Sequence, residues 1–453
     1  VCGVKESARE YINLKQEMSQ IGFTCNLALA LLIPYFDKHT QNKMSTLTRG
    51  ITGKTSFTIL VALSSFHMFN DTLQAMIAAI YPILHDTLSL DLGSIGMITL
   101  VYQVAASIFQ PLVGWYADKR PQPYALPFGM GTTMTGLVIL AYAANYGSVL
   151  FAVVLIGIGS AIFHPEASRL AYLASGGRFG FAQSLFQVGG NFGGTMGPLL
   201  AALFITQTGQ KNLVWFTVIP VVAACMMLPV SQWYKRQLVV IREKRKSGAG
   251  GGKHPVLPTH MVVISLCVLL TLIFSKYVYW ASLGSYYTFY LIKKFDVSIA
   301  QAQYCLALFG FSVAAGTMIG GHIGDRIGRK YVIWVSILGV APFTMLLPYV
   351  NSLWLTCVLS VVIGLILSSA FSAILIYAQE LLPGKVGMIA GLFFGFAFGI
   401  AGIASAVLGY IADRYGIVFV YQICSYLPLL GIVAVFLPNM HKIKARLSQP
   451  PES

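Results

Sequence analysis

The sequence predicts an all-α polytopic membrane protein, with twelve transmembrane helices in two six-helix pseudo-symmetric halves. Three observations predict it. First, 56% of the 453 residues are hydrophobic and only 10% are charged, where a soluble globular chain carries about a quarter charged residues. Second, the apolar residues fall into twelve runs separated mostly by short polar connections. Third, the pattern Gly-x-x-x-Asp recurs at Gly114–Asp118 and Gly321–Asp325, with a further echo at Gly409–Asp413. The offset of 207 residues between the first two also aligns Gly157 with Gly364, Gly177 with Gly384, Gly180 with Gly387 and Leu84 with Leu291. A few glycines coincide easily by chance. One offset that also aligns the ends of apolar runs points to a duplicated chain.

Residues 1–43 differ from the rest. They combine a soluble-looking segment (Lys5, Glu6, Arg9, Glu10, Lys15, Glu17) with a short apolar run at 21–36. That run is shorter than the roughly 20 residues a bilayer crossing needs. We expect an over-extended start or a dispensable tail here, with Met44 as the natural start. The spans then lie near 56–84, 94–116, 124–144, 148–172, 181–206 and 212–232 in the first half (44–232). In the second half (259–440) they lie near 260–292, 299–322, 331–350, 353–380, 386–413 and 417–438, followed by a tail at 441–453. Between the halves, residues 233–258 hold Lys235, Arg236, Arg242, Lys244, Arg245, Lys246 and Lys253, then a glycine run at 248–252. This reads as a flexible basic linker.

The net charge of +15 does not point to nucleic acid, because the basic residues sit in short loops and form no single face. Lys43, Arg49, Lys54, Lys119, Arg120, Arg178, the linker, Arg326, Arg329, Lys330, Lys385, Lys442, Lys444 and Arg446 gather on one side. Lys211, Lys293, Lys294 and Arg414 fall on the other. The positive-inside rule makes the first side cytoplasmic, with both termini. The seven cysteines form no C-x-x-C pair and most sit in apolar runs; they read as packing residues, neither disulfides nor metal ligands. There is no H-E-x-x-H, no G-x-S-x-G and no P-loop. An enzyme and an ATP-driven pump are therefore disfavoured, and no cofactor or metal is expected. A channel, or a sensor on a transporter scaffold, has the same composition.

Ionisable residues inside a bilayer are costly and each needs an account. Span 1 carries His67, Asn70, Asp71, Gln74 and Tyr81. Positions 67, 70, 74, 78 and 81 share one helical face; Asp71 is turned one position round and still within reach of a cavity. Asp71 reads as the leading proton carrier, or as a structural helix-to-helix hydrogen bond. Span 4 carries His164, Pro165, Glu166 and Arg169. Glu166 and His164 form a proton relay on one reading; on the other, Glu166 and Arg169 form a neutral pair at i, i+3. Span 7 holds Lys276 near its centre, with Tyr277, Tyr279, Trp280, Tyr286 and Tyr287. Lys276 attracts an anion or pairs with Asp71 or Glu166. Gln183, Gln187 and Asn191 line one face of span 5, as ligand contacts or as interhelical glue. Glu380 is expected to pair with a loop arginine.

The loop Gly321-His-Ile-Gly-Asp-Arg-Ile-Gly-Arg-Lys330 after span 8, its shorter copy after span 2, the twelve spans and the basic central loop resemble the major facilitator superfamily. Gly193-Gly-Thr-Met-Gly197-Pro198 in span 5 is similar to that superfamily's antiporter motif, with Ala201 and Ala202 in place of its last glycines. Small residues there let helices approach closely and Pro198 bends the span. Asn70-Asp71, Ile162-Phe-His-Pro-Glu166, Phe186-Gln-Val-Gly-Gly-Asn-Phe-Gly193, Ser275-Lys-Tyr277 and Tyr377-Ala-Gln-Glu-Leu-Leu-Pro383 resemble a group of bacterial drug exporters within it. The resemblance covers about residues 56–440. It implies a major facilitator fold whose spans 1, 4, 7 and 10 line a central cavity. It also implies a monomeric inner-membrane exporter, proton-driven, of a small anionic antibiotic; an importer or exporter of a sugar or organic anion is the alternative. On this resemblance Asp71, Glu166 and His164 couple protons, and Lys276, Asn70, Gln74, Tyr81, Gln187, Tyr277 and Tyr287 bind cargo. Gly114, Asp118, Gly321, Asp325, Arg326, Gly328 and Arg329 gate the cytoplasmic side, and Gly193, Gly197 and Pro198 pack helices. The copy at 114–120 lacks the later Gly-Arg-Lys, so most of the latch strength is expected in the second half.

Overall fold

The computed structural model describes residues 55–90, 92–200, 204, 209–246 and 258–439. The segment 1–43, the glycine run at 248–252 and the tail 441–453 lie outside the described residues. Among the described residues every regular element is a helix. In the first half these are α1 (Phe57–Ala79), continued past Ile80 by Tyr81–Leu88, then α2 (Leu92–Lys119), α3 (Ala125–Ala141), α4 (Tyr146–Ala174), α5 (Phe179–Leu200) and α6 (Val218–Lys246). In the second half they are α7 (Thr259–Phe295), α8 (Ile299–Ile327), α9 (Arg329–Tyr349), α10 (Leu353–Leu381), α11 (Val386–Tyr415) and α12 (Ile417–Phe436). Nine of the described spans have the length and hydropathy to cross a bilayer; α1, α3 and α5 complete the twelve.

Polar residues set several helix starts. Asn145 caps α4, accepting from Ser148 N at 2.9 Å, and Ser298 forms a capping box with Gln301 at the start of α8. Each cap satisfies backbone N–H groups that a helix start leaves without partners. On the basic face, the turns before α5 and α11 place Gly177 and Gly384 at φ +93° and +88°. Only glycine adopts that region freely, and the two positions are 207 residues apart.

Packing repeats across the halves. α1 lies along α5 as α7 lies along α11; α2 crosses α4 as α8 crosses the first part of α10. Between the halves, α2 packs on α11 and α5 on α8. The α5 glycines make the α1–α5 contact close. A Cβ on Gly193 would stand 2.3 Å from Met68 O, and one on Gly197 would stand 2.6 Å from Thr72 O. The small-residue packing expected of Gly193 and Gly197 is present; the side chain of Pro198 lies outside the description.

Two expectations are corrected. The linker is not flexible from residue 233: α6 continues as helix to Lys246. Tyr234, Leu238 and Ile241 are buried at helical spacing beneath the basic residues, so the stretch keeps an apolar face against the bundle. The cysteines do not all stand apart either. Cys305 on α8 and Cys357 on α10 form a disulfide, with Cα atoms 5.8 Å apart. They are 52 residues apart in the chain, and it is the parallel packing of α8 on the first part of α10 that brings them together.

Candidate functional site

The basic face is closed by two crossed contacts. Asp118, at the end of α2, accepts from Gly387 N at 3.0 Å and Met388 N at 2.8 Å, the first turn of α11. Asp325, at the end of α8, accepts from Gly180 N at 2.8 Å and Phe181 N at 2.9 Å, the first turn of α5. A carboxylate on two free N–H groups at a helix N-terminus is a charge-assisted arrangement favoured by the helix dipole. Every partner in one contact maps onto the other at the 207-residue offset. The glycines permit the approach: a Cβ on Gly114 would lie 2.0 Å from Gly387 O, and one on Gly321 would lie 2.5 Å from Gly180 O.

The expectation of unequal latches is therefore corrected. Both are engaged, because the contact needs only a carboxylate, a glycine one turn before it and a helix start. The later Gly-Arg-Lys is not part of it. Gly328 ends α8 with φ +99°, Arg329 pairs inside its own half with Asp325 at 3.3 Å and Glu380 at 2.8 Å, and Arg326 is exposed. The expected Glu380–arginine pair is this one. The echo at Gly409–Asp413 lies at the far end of α11, where Gly409 packs on Tyr286 Oη; it is not a third latch.

Glu166 belongs to this closure. Arg169 bridges Glu166 at 3.1 Å and Asp118 at 3.4 Å, and its guanidinium lies 5.4 Å from the Tyr234 ring of α6. All three charged side chains are buried. Of the two readings left open for Glu166, the neutral pair holds, and the residue does not line the cavity. Beside this latch, burial lowers the pKa of Lys385 below its ordinary value, while nearby Asp118 opposes the shift.

Above the latches is a cavity of about 810 Å³. It is lined by α1 (His67, Asp71), α5 (Gln187, Asn191), α7 (Lys276, Tyr277, Trp280), α8 (Phe309, Thr317), α10 (Ser368, Phe371) and α11 (Phe394, Phe398). On α5, α7 and α8 these positions run from the middle toward the face opposite the latches, so the cavity extends toward that face. Lys276 is 4% exposed. Its ammonium donates to Ser368 O at 3.3 Å and stands 5.5–5.6 Å from the rings of Tyr277, Trp280 and Phe371. No carboxylate is within ion-pair distance of it among the described residues; neither Asp71 nor Glu166 is its partner.

Asp71 instead sits between two histidines. His67 Nε2 is 3.2 Å from Oδ2 and His164 Nε2 is 3.4 Å from Oδ1. His67 Nδ1 meets Phe186 O at 2.8 Å and His164 Nδ1 meets Ser160 O at 3.0 Å. Asn70 donates to Asp71 Oδ1 at 3.0 Å and is itself buried. Two imidazoles on one carboxylate can store and pass protons. Sequence reasoning placed His67 only on the face of span 1. Its spacing of i, i+4 from Asp71 was the available signal. The three could also hold a metal by donor type and spacing, which no finding requires.

The structure brings Asp71, His164, Lys276, Gln187 and Tyr277 to the cavity and its floor. It does not bring Gln74, Tyr81 or Tyr287. Gln74 accepts from Tyr102 Oη, and Tyr81 Oη accepts from Thr99 Oγ1 at 2.9 Å, so both serve the α1–α2 packing. Tyr287 is fully buried with Tyr290, which stacks on Tyr421.

Two pseudo-symmetric six-helix halves, closed on one face and flanking a largely apolar cavity that holds a few polar groups, define a secondary transporter. Residues 63–292 and 266–452 match the profile of the Major Facilitator Superfamily, and the chain belongs to that family. It is 56% identical over 390 residues to the fosmidomycin resistance protein of Escherichia coli, covering 86% of this chain and 95% of that one. It is 41% identical to the MFS-type transporter YfnC of Bacillus subtilis, covering 86% and 95%. Among solved structures, the transporter FucP in its outward conformation superposes with a TM-score of 0.64 at 15% identity, covering 84% of this chain and 99% of that one. That likeness concerns the fold alone.

Proposed function

We propose that this chain is a proton-coupled antiporter of the bacterial inner membrane that exports a small anionic antibiotic, fosmidomycin being the first cargo to test. The observation that carries the reading is Lys276, a buried cation on the cavity wall without a carboxylate partner among the described residues. Identity to a fosmidomycin resistance protein over most of both chains supports the cargo. The latched face, rich in Lys and Arg, is cytoplasmic, and the chain acts as a monomeric transporter rather than an enzyme.

The sign of coupling matters. A proton and an anion attract, so charge alone would favour their binding together. Exchange requires mutual exclusion, which must act through helix position. The residues for that connection exist. Asp71 and His67 touch the α5 glycines, where a Cβ on Gly190 would lie 2.5 Å from His67 and 2.8 Å from Asp71. The start of α5 is held by Asp325. His164 shares α4 with Arg169, which holds Asp118. Protonation of the His67–Asp71–His164 cluster thus reaches both latches, one through α5 and one through α4. Asp71 releases its proton to the cytoplasm, cargo binds beside Lys276, the latches close, and reprotonation from outside accompanies cargo release.

The test is fosmidomycin transport in proteoliposomes with an imposed pH gradient. Uphill export should collapse when the gradient is removed. Asp71→Asn should abolish uphill export and spare counterflow; loss of both would make Asp71 structural. Cargo affinity should fall as the pH is lowered. A rise would mean that direct attraction dominates and that the transporter is a symporter.

A further inference from the structure

The donors around Lys276 are matched in number. Its ammonium carries three N–H donors and spends one on Ser368 O. One helical turn beyond Ser368, Ser372 lies on the same cavity wall. Ser372 is 0% exposed and its hydroxyl has no hydrogen-bond partner. A buried hydroxyl left unpaired is unfavourable and is satisfied when an acceptor arrives. Three aromatic rings surround the ammonium and keep water from competing for it. The amides lie across the cavity on α5: Gln187 Oε1 is buried without a partner, and Asn191 donates to Thr317 Oγ1 at 3.3 Å.

We infer that Lys276 and Ser372 form a subsite for a tetrahedral phosphorus oxyanion, so that the transporter also accepts small phosphate monoesters and binds cargo with its anionic head against α10. Two ammonium donors and one hydroxyl supply three hydrogen bonds. They match the three oxygens of a phosphonate or phosphate monoester head and exceed the two of a carboxylate. The uncharged end of the cargo then faces Gln187 and Asn191 on α5. The inference rests on the reading of Lys276 as the cargo's anchor and adds the class of head group, its orientation and Ser372.

The experiment uses the full chain, purified in detergent, with methylphosphonate, methyl phosphate and acetate as probes and thermal stabilisation as readout. The same probes then compete with labelled fosmidomycin in counterflow. Both phosphorus probes should act at concentrations about tenfold below acetate, the expected size for one charge-assisted hydrogen bond. Ser372→Ala should reduce that preference to about threefold or less, and Lys276→Met should remove the effect of all three. If Ser372→Ala fails to fold, Ser372→Cys, which keeps the volume and weakens the donor, gives the same comparison. Equal action of acetate and methylphosphonate, or an unchanged preference in the Ser372 variant, overturns the inference. Stabilisation by the phosphorus probes without any fosmidomycin counterflow would overturn the proposed cargo and leave the subsite standing.

Discussion

The two latches share a backbone geometry and differ in what surrounds it. Asp118 is 5% exposed and lies against Arg169, which is buried together with Glu166 and drawn from α4. Asp325 is 17% exposed, and its arginine comes from the next turn of its own loop. The fuller sequence motif therefore marks the more solvated latch, and the shorter copy marks the more deeply buried one. Residues missing from the motif at 119–123 are replaced by Arg169, 51 residues further along the chain from Asp118. The closing contact is set by a glycine, a carboxylate and a helix start; the neutralising cation can come from anywhere that packing brings it.

The strongest way to break the comparison is to force the helices apart. A Cβ on Gly114 meets backbone at 2.0 Å, whereas one on Gly321 meets the rotatable Ser184 Oγ at 2.0 Å and backbone at 2.5 Å. Gly114→Ala should lower counterflow at least tenfold, and Gly321→Ala by about half that on a logarithmic scale, since overpacking against backbone costs about 1–3 kcal/mol. Counterflow per molecule of membrane-inserted protein measures both.

Removing the carboxylates comes next. Asp118→Asn leaves Arg169 buried with Glu166 as its one carboxylate. Asp118 also loses the charge that strengthens its two bonds from the start of α11; hydrogen bonds to a charged group are worth about 1.5–3 kcal/mol, so this variant should shift the population toward an open basic face. Asp325→Asn should shift it less, because Asp325 and Arg329 are the more solvated of the two pairs. Thiol labelling of a cysteine placed at Gln187, added from the basic face, reads the shift. Equal labelling in the two variants would mean that burial does not distinguish the latches. The smallest effect is expected of Glu380→Gln: it touches neither carboxylate that crosses between the halves, Arg329 keeps Asp325, and counterflow should change less than twofold.

Much of this fold is legible in the sequence because a bilayer leaves the chain few choices. Apolar runs of sufficient length have to be helices, and Gly177, Gly180, Gly384 and Gly387 betray the duplication through one offset. The pairing of Glu380 with Arg329 is legible as well, since each charge sits at a span end. What was not legible depends on rotation and on distant neighbours. Gln74 and Tyr81 share the face of His67 by helical spacing, yet α2 covers their part of it. Glu166 has the same local sequence whether it faces a cavity or a latch, and only the approach of Asp118 decides. The Cys305–Cys357 pair is hidden because its partners lie on different helices. Ser372 carries no motif; its meaning comes from having no partner.

Each latch also makes opening a wetting event. Gly180, Phe181, Gly387 and Met388 give their N–H groups to carboxylates while the basic face is shut. When the halves part, water has to fill those four positions and hydrate Asp118 and Asp325 together. The barrier then belongs partly to the solvent, so turnover should respond to water activity on the basic face as well as to cargo and proton gradients.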